Sequence, residues 1–399
     1  MKIKVFVIIA IIYFFFNSVG LSHGLTYTII LSPIVFIFIL PKYIKLFTLY
    51  LLVVLFYFVI HSLYGVTNYF EYFKSILLHT SVFILVIGFY NKLKKNPIDV
   101  VSAIELLAVL NLIAVFFSLL VIKIPFFSDV IWRDNFLIGS HVQQLRMLVY
   151  EPSYYSFLLV PLFFYFFNSV LNRRTLKNVI LFCGIILALF LSRSLGVVAT
   201  IILAVIFTFL RFDFLKKKKN MYWLLIALIT SFLSVIFVLI FFPENILVVR
   251  IFNFIEGKDL SGSARVFDPW ILGIEIISSK SYIFGIGWGQ IKILGHDLIY
   301  DYYNYYYTHP TARIPNAAGE VFVMFGFLGL FFRLFIQIYL YKVTGVKKSR
   351  FRSFLFWFIF IYQFTGSFTS NLVEYVVWVL AFTRIDYFDD NLIPSKKEI

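Results

Sequence analysis

Leu176 to Arg211 reads LKNVILFCGIILALFLSRSLGVVATIILAVIFTFLR. Two apolar runs, 176–192 and 195–212, flank a minimal turn, Ser192-Arg193-Ser194. Each run approaches the roughly 20 residues that a helix needs to cross a bilayer. A turn this short forces the two helices antiparallel, and it leaves Arg193 at headgroup depth. The same pattern of long apolar runs and short polar joints extends in both directions. It predicts further spans at 4–21, 25–41, 44–64, 73–90, 98–122, 152–171, 221–242, 318–341, 354–368 and 370–385. The last two are short, and Gly366-Ser367-Phe368-Thr369-Ser370 separates them, so one span plus a re-entrant segment is the alternative.

Composition agrees. The 399 residues are 61% hydrophobic and 14% charged, more apolar surface than a soluble domain can hide. The expected fold class is an all-α polytopic membrane protein, one membrane domain over 1–399 with about twelve transmembrane helices. Phe 52 and Tyr 26 carry no functional weight. The single cysteine, Cys183, excludes a disulfide within the chain. Met1-Lys2-Ile3-Lys4 before an apolar run resembles a signal peptide, and Ser18-Val19-Gly20 loosely fits a cleavage site; an uncleaved first span is the preferred reading.

Charge sets the orientation. Most of the 35 basic residues fall in joints that lie on one side if the N-terminus is inside: Lys2/Lys4, Lys42/Lys45, Lys92/Lys94/Lys95, Arg173/Arg174/Lys177, Arg211 with Lys216 to Lys219, Lys342 to Arg352, and Arg384/Lys396/Lys397. This is the expected cytoplasmic bias, with both termini inside. The net charge of +15 therefore reflects topology and points to no nucleic-acid partner. Two outside loops are long, loop A at 123–151 and loop B at 243–317. In loop B, Asp268-Pro269-Trp270 looks like a helix start, with Asp as N-cap and Pro first in the helix. Trp270, Ile271, Ile274 and Ile277 then form an apolar stripe suited to the membrane surface. Gly285-Ile286-Gly287-Trp288-Gly289 reads as a tight turn that ends it.

Arg133, Arg146, Arg193, Arg250, Arg265 and Arg313 break the inside bias. Arginine presents a planar fork that matches phosphate oxygens in pairs. Six on the outer side suggest an anion grip; snorkelling to lipid phosphates or pairing with a local acid is the alternative for each. Glu151, before Pro152-Ser153 at the mouth of a span, is a candidate acid or base, or else an acid complementing a helix dipole. His309 is the strongest histidine candidate, able to take a proton from a hydroxyl. His296 and His141 are weaker, and His61 and His79 read as satisfied polar residues within spans. Glu105, Glu320, Arg333 and Glu374 lie in or near spans, where such groups face a cavity or each other. Asp268, His296, Asp297, Asp301 and His309 have no metal-ligand spacing, so neither metal nor cofactor is expected.

At these residues the chain resembles a family. Arg146 to Glu151-Pro152-Ser153 resembles the Arg…Glu-Pro-Ser element of bacterial O-antigen (Wzy-type) and capsule polymerases. Arg265…Trp270 with Gly285-Ile286-Gly287-Trp288-Gly289 resembles a stretch shared by those polymerases and O-antigen ligases. Asn316…Glu320…Gly326-Phe327-Leu328-Gly329-Leu330 resembles their approach to a late span, although Pro315, not histidine, precedes Asn316. The resemblance implies a GT-C-like membrane glycosyltransferase in the bacterial inner membrane, with its active site periplasmic. The donor would be a glycan on undecaprenyl diphosphate and the acceptor a sugar hydroxyl of another lipid-linked unit. Arg146, Arg193, Arg265 and Arg313 would bind the diphosphate, and Glu151 or His309 would act as base. Arg133, Asp268, Asn316 and Glu320 would support them. Membrane lipid and a chain-length regulator protein are the other implied partners. Three rivals share the composition: an O-antigen ligase, a flippase or transporter for the lipid-linked unit, and a membrane scaffold.

Overall fold

A computed structural model of the chain describes residues 5–17, 27–137, 140–172, 174–211, 252–253, 256, 260–303 and 312–385. The elements are α1 (Val5–Phe16), α2 (Tyr27–Leu63), α3 (Tyr69–Lys95), α4 (Pro97–Leu120), α5 (Pro125–Ile131), β1 (Trp132–Leu137), β2 (Ser140–Leu145), α6 (Pro152–Asn172), α7 (Leu176–Ser192) and α8 (Leu195–Arg211). Then follow α9 (Leu260–Val266), α10 (Asp268–Ser278), α11 (Ile291–Leu294), α12 (His296–Tyr303), α13 (Ala317–Val343), α14 (Arg350–Tyr362) and α15 (Leu372–Phe382). Among the described residues the class is all-α apart from one hairpin. A helix stands at every expected span except 221–242, which lies outside the described residues, as do Arg250 and His309.

Among the described residues, five helices are long and apolar enough to cross a membrane: Leu31–Leu63, Tyr69–Lys95, Pro97–Leu120, Pro152–Asn172 and Ala317–Val343. Helices α1, α7, α8 and α15 are apolar but shorter. The first of the five merges two expected spans. Its helical pattern continues past Pro41, but Tyr43 leaves the helical region. The chain bends sharply there: Phe36 and Phe47, which a straight helix would hold roughly 16 Å apart, meet edge-on at 4.9 Å between ring centroids.

Short polar side chains start several of the helices. Asn68, Thr175, Asn316 and Asn371 each accept a hydrogen bond from an amide two or three residues on. The main core surrounds α6, which packs on α7 and α14, while α14 packs on α8 and α15. Phe164 of α6 stacks on Phe354 of α14 at 5.3 Å with planes 7° apart, and both rings are fully buried.

Loop A is not a plain loop. It folds as α5 and an antiparallel hairpin in which Trp132 faces Leu145 and Asp134 faces Gln143. In loop B, α10 begins at Asp268 with Phe267 as N-cap, one residue earlier than the sequence suggests. The Asp268 carboxylate does not cap the helix but accepts from the Tyr302 and Tyr303 hydroxyls at 3.2 and 2.9 Å. The expected apolar stripe is split. Leu272, Ile276 and Ile277 are buried against α13, and Ile271 and Ile274 remain exposed.

The Gly285–Gly289 segment does more than end a helix. Helix α13 breaks at Gly326, whose φ of 67° and ψ of −166° suit glycine alone. The break strands carbonyls on one side and amides on the other. Ile286 N and Gly287 N donate to Val323 O and Met324 O, each at 3.0 Å. Phe327 N and Leu328 N donate to Tyr282 O and Ile283 O at 3.0 and 3.1 Å. At membrane depth each group left bare would cost several kcal/mol. The fit leaves no space for a Cβ: one on Gly326 would stand 2.2 Å from Ile283 O, and one on Gly285 2.5 Å from Val323 O.

The same segment is pinned to the α2–α3 corner. The ring of His61 is buried between Phe284 O, 2.9 Å from Nε2, and the Tyr72 hydroxyl, 2.8 Å from Nδ1. The carbonyl only accepts, so Nε2 carries a proton. Buried Gln290 accepts from Thr67 N and Asn68 N and donates to Asn68 O. Gly285→Ala is therefore expected to lower the thermal transition of the detergent-solubilised protein by the equivalent of about 2 kcal/mol or more. Gly196→Ala, whose added Cβ meets nothing within 4 Å, should leave the transition within a degree or so of the parent value.

Candidate functional site

Where α6 begins, the first turn of the helix, the end of α9 and the α14–α15 joint enclose a cavity of about 100 Å3. Glu151, just before α6, and Ser153, Tyr154 and Phe157 within it line one side, and Arg265 enters from α9. Pro315 and Tyr362 close two walls, and Ser367, Phe368 and Asn371 form the side nearest α15. The structure thus brings Glu151 and Arg265, 114 positions apart in the chain, to one pocket.

Each group is positioned by identifiable contacts. Ser153 Oγ donates to Glu151 Oε2 at 3.0 Å. Arg133 Nη1 lies 3.7 Å from Glu151 Oε1, with side chains 40% and 33% exposed. Asn316 Nδ2 donates to the backbone carbonyl of Arg265 at 2.7 Å and to Phe364 O at 3.2 Å. Its Oδ1 meanwhile starts α13 through Gly319 N, so one buried amide joins α9, α13 and the end of α14. The next two amides of α13, Ala317 N and Ala318 N, donate to Gly366 O and Gln363 O. Arg313 is exposed, and its guanidinium carbon sits 5.5 Å from the ring centre of Phe368, on the cavity rim.

The other expected residues stand further off. Glu320 Oε2 accepts from Thr369 N at 2.6 Å and Thr369 Oγ1 at 2.8 Å, which fixes the residue after Phe368. Asp268 holds the tyrosines of α12, and burial followed by its negative charge raises the Tyr302 phenol, keeping it a donor. Arg146, expected on the diphosphate, does not line this cavity: it donates to Asp129 O at 2.7 Å, and its Nε is buried without a partner among the described residues. Arg193 lines a second cavity, with Trp132 and Asp134. His296 bonds Asp297 and stacks on Tyr300. His79 is held by Ser75 O and Thr369 Oγ1. Among the described residues no group of three or more His, Cys, Asp or Glu could hold a metal ion.

Beneath the pocket lies a network that the sequence had placed only as scattered intramembrane charges. Ser367 Oγ donates to Glu374 Oε2 at 2.7 Å, and Asn371 Nδ2 donates to Ser367 Oγ at 3.4 Å. Glu374 is fully buried and paired with Arg333, which also bonds Gln363 Oε1. Gln363 and Gln337 exchange amide hydrogen bonds. Glu105 is paired separately, with Lys177 at 2.7 Å. Tyr154, whose hydroxyl donates to Asn371 Oδ1 at 2.8 Å, is a lining residue that sequence reasoning missed. The available signal was the run of polar residues at 366–371, inserted between two helices each too short to need such a joint.

Removing one member of a buried ion pair leaves an uncompensated charge. Arg333→Ala should destabilise the protein by roughly 3–5 kcal/mol, and the double change Arg333→Met, Glu374→Leu should recover most of that loss. Equal losses in thermal stability for the single and double variants would show that the pair does not act as a unit.

Residues 179–334 match a family model described as O-antigen ligase. The matched region takes in Arg193, Arg265, Arg313, Asn316 and the Gly285–Gly326 lock, but not Glu151 or the hairpin. Comparison with curated proteins returned no match, and comparison with solved structures returned none.

Proposed function

We propose, from the membership of the O-antigen polymerase/ligase family that the match over 179–334 supports, that this protein is a polymerase of lipid-linked glycan repeat units. The single observation that carries the reading is the convergence of the Glu151 carboxylate and the Arg265 guanidinium on one pocket. The donor is a glycan on a polyprenyl diphosphate, undecaprenyl diphosphate in bacteria. The acceptor is a sugar hydroxyl on a second lipid-linked unit, and the site faces the outside of the inner membrane.

The chemistry balances with these groups. The bond between the anomeric carbon and the phosphate oxygen breaks, and a new bond forms from that carbon to the acceptor oxygen. Glu151 takes the acceptor's proton, oriented by Ser153 and the loosely held Arg133. The electron pair leaves on the diphosphate, where Arg265 and, from the rim, Arg313 meet the developing charge. Asn316 serves as a positioning residue, because it holds the Arg265 carbonyl. His309 remains the other candidate base; it lies outside the described residues.

The description of the matching family favours a second reading, transfer of finished polymer to lipid A core. The two differ only in acceptor. The Glu151-Pro152-Ser153 element, which lies outside the matched region, favours polymerisation.

In cells lacking the gene, a silver-stained gel of lipopolysaccharide should show core carrying a single repeat unit; bare core would indicate the ligase instead. Restoring Arg265→Ala or Glu151→Gln should leave the protein in the membrane with long chains reduced at least about 100-fold. An unaltered long-chain ladder from both variants would reject this site.

A further inference from the structure

Trp132, Arg133 and Asp134 are consecutive in β1, and successive strand side chains point to opposite faces. Arg133 turns to Glu151. Trp132 and Asp134 turn the other way and line a larger cavity, about 510 Å3, within the range of ligand pockets at roughly 300–1,000 Å3. Gln143, opposite Asp134 in the hairpin register, shares this face. Arg193 closes the cavity from the end of α7, and Leu119 and Ile122 from the end of α4. One strand therefore separates two sites.

Arg193 is unusual in its backbone. It caps α7 with φ at 51°, in the left-handed region where glycine is the cheap residue. A large side chain at such a strained position points to a use for that side chain. The ends of α6 and α7 are joined beside it by the Ser156 and Ser192 hydroxyls, 2.6 Å apart and both buried. The Trp132 indole is fixed through Ser118 O and serves as a wall.

The lining chemistry selects the ligand. One guanidinium, one carboxylate and one primary amide give no net charge. Asp134 would oppose a diphosphate. The same three groups suit vicinal hydroxyls: arginine donates, aspartate accepts, and glutamine does both. We infer that the Trp132, Asp134, Gln143 and Arg193 cavity is a glycan subsite that holds uncharged sugar units across the hairpin from the diphosphate-gripping pocket. It rests on the reading of the protein as an enzyme of lipid-linked glycans, and it moves Arg193 from the diphosphate to the sugar.

The test uses the full chain in nanodiscs and two probes. One is the phosphate-free repeat-unit oligosaccharide hydrolysed from the host cell's own surface polysaccharide, and the other is inorganic pyrophosphate. Asp134→Ala and Gln143→Ala should each raise the oligosaccharide Kd by about tenfold and leave the pyrophosphate Kd within about twofold. Arg193→Gly should do the same while keeping or raising the thermal transition, since glycine suits the backbone there. Arg265→Ala should show the reverse pattern. Absence of oligosaccharide binding to the unsubstituted protein overturns the subsite. So does unchanged oligosaccharide binding in all three cavity variants, or a matching loss of pyrophosphate. If the cavity variants lose oligosaccharide while Arg265→Ala cells still make a normal ladder, the subsite stands and the assignment of the reaction pocket fails.

Discussion

The backbone exchange between residues 282–287 and 323–328 is the constraint on which the site depends. A helix broken in a membrane exposes amides and carbonyls that lipid cannot satisfy. Here the Tyr282–Gly287 segment supplies all four partners and so makes the break at Gly326 stable. The break gives the first part of α13 a direction of its own. That part begins at Asn316, which holds the Arg265 carbonyl, and its first amides dock on the carbonyls that end α14. Lock, helix start and cavity wall form one continuous hydrogen-bonded path. Gly285 and Gly326 serve chemistry at a distance because no residue with a Cβ fits between the two backbones, while a Cβ on Gly287 or Gly289 would strike Tyr72 or Glu71 O of α3 instead.

On the other side of the pocket, the alternation of a β-strand does comparable work. The helical bundle gives few places where adjacent residues face opposite ways; in a helix, neighbours in sequence stay within about 100° of each other. The short hairpin in loop A provides such a place. It sets Arg133 against Glu151 and puts Trp132 and Asp134 into the larger cavity beside Arg193. A two-stranded hairpin alone is marginal in water. This one is tied down by Trp132 Nε1 on Ser118 O and by Arg146 on Asp129 O, each a contact to backbone nearby in the chain.

Much of the architecture was legible from periodicity and charge, because spans are long, uniform and bounded by polar residues. Glu151 and Arg265 were legible as candidates beside bland alternatives, a helix-dipole acid and a snorkelling arginine. Their grouping was only partly legible. Arg193 and Arg265 carry the same side chain at the same inferred depth, yet line different cavities. Sequence position along the membrane normal says nothing about position in its plane. The hairpin was hidden because 132–145 alternates weakly and reads as loop. The role of Gly285 to Gly289 was hidden for another reason: a glycine needed for a local turn and one needed for a distant backbone look identical in a sequence.

Two carboxylate–guanidinium pairs show how desolvation divides labour within one small region. Glu374 is fully buried and Arg333 nearly so, and Ser367 donates to the carboxylate while Gln363 accepts from the guanidinium. Such a pair is costly to open, so it holds shape and exchanges no partners. Glu151 and Arg133 stand 3.7 Å apart, both well exposed, in the range where an ion pair contributes about 0–1 kcal/mol. A carboxylate held that weakly is free to turn toward an acceptor hydroxyl when one arrives. The deep pair therefore fixes Ser367 and the pocket floor, while the shallow pair keeps the reactive group available. The difference between them follows from burial and from the hydrogen bonds that accompany it, since the chemical groups are the same.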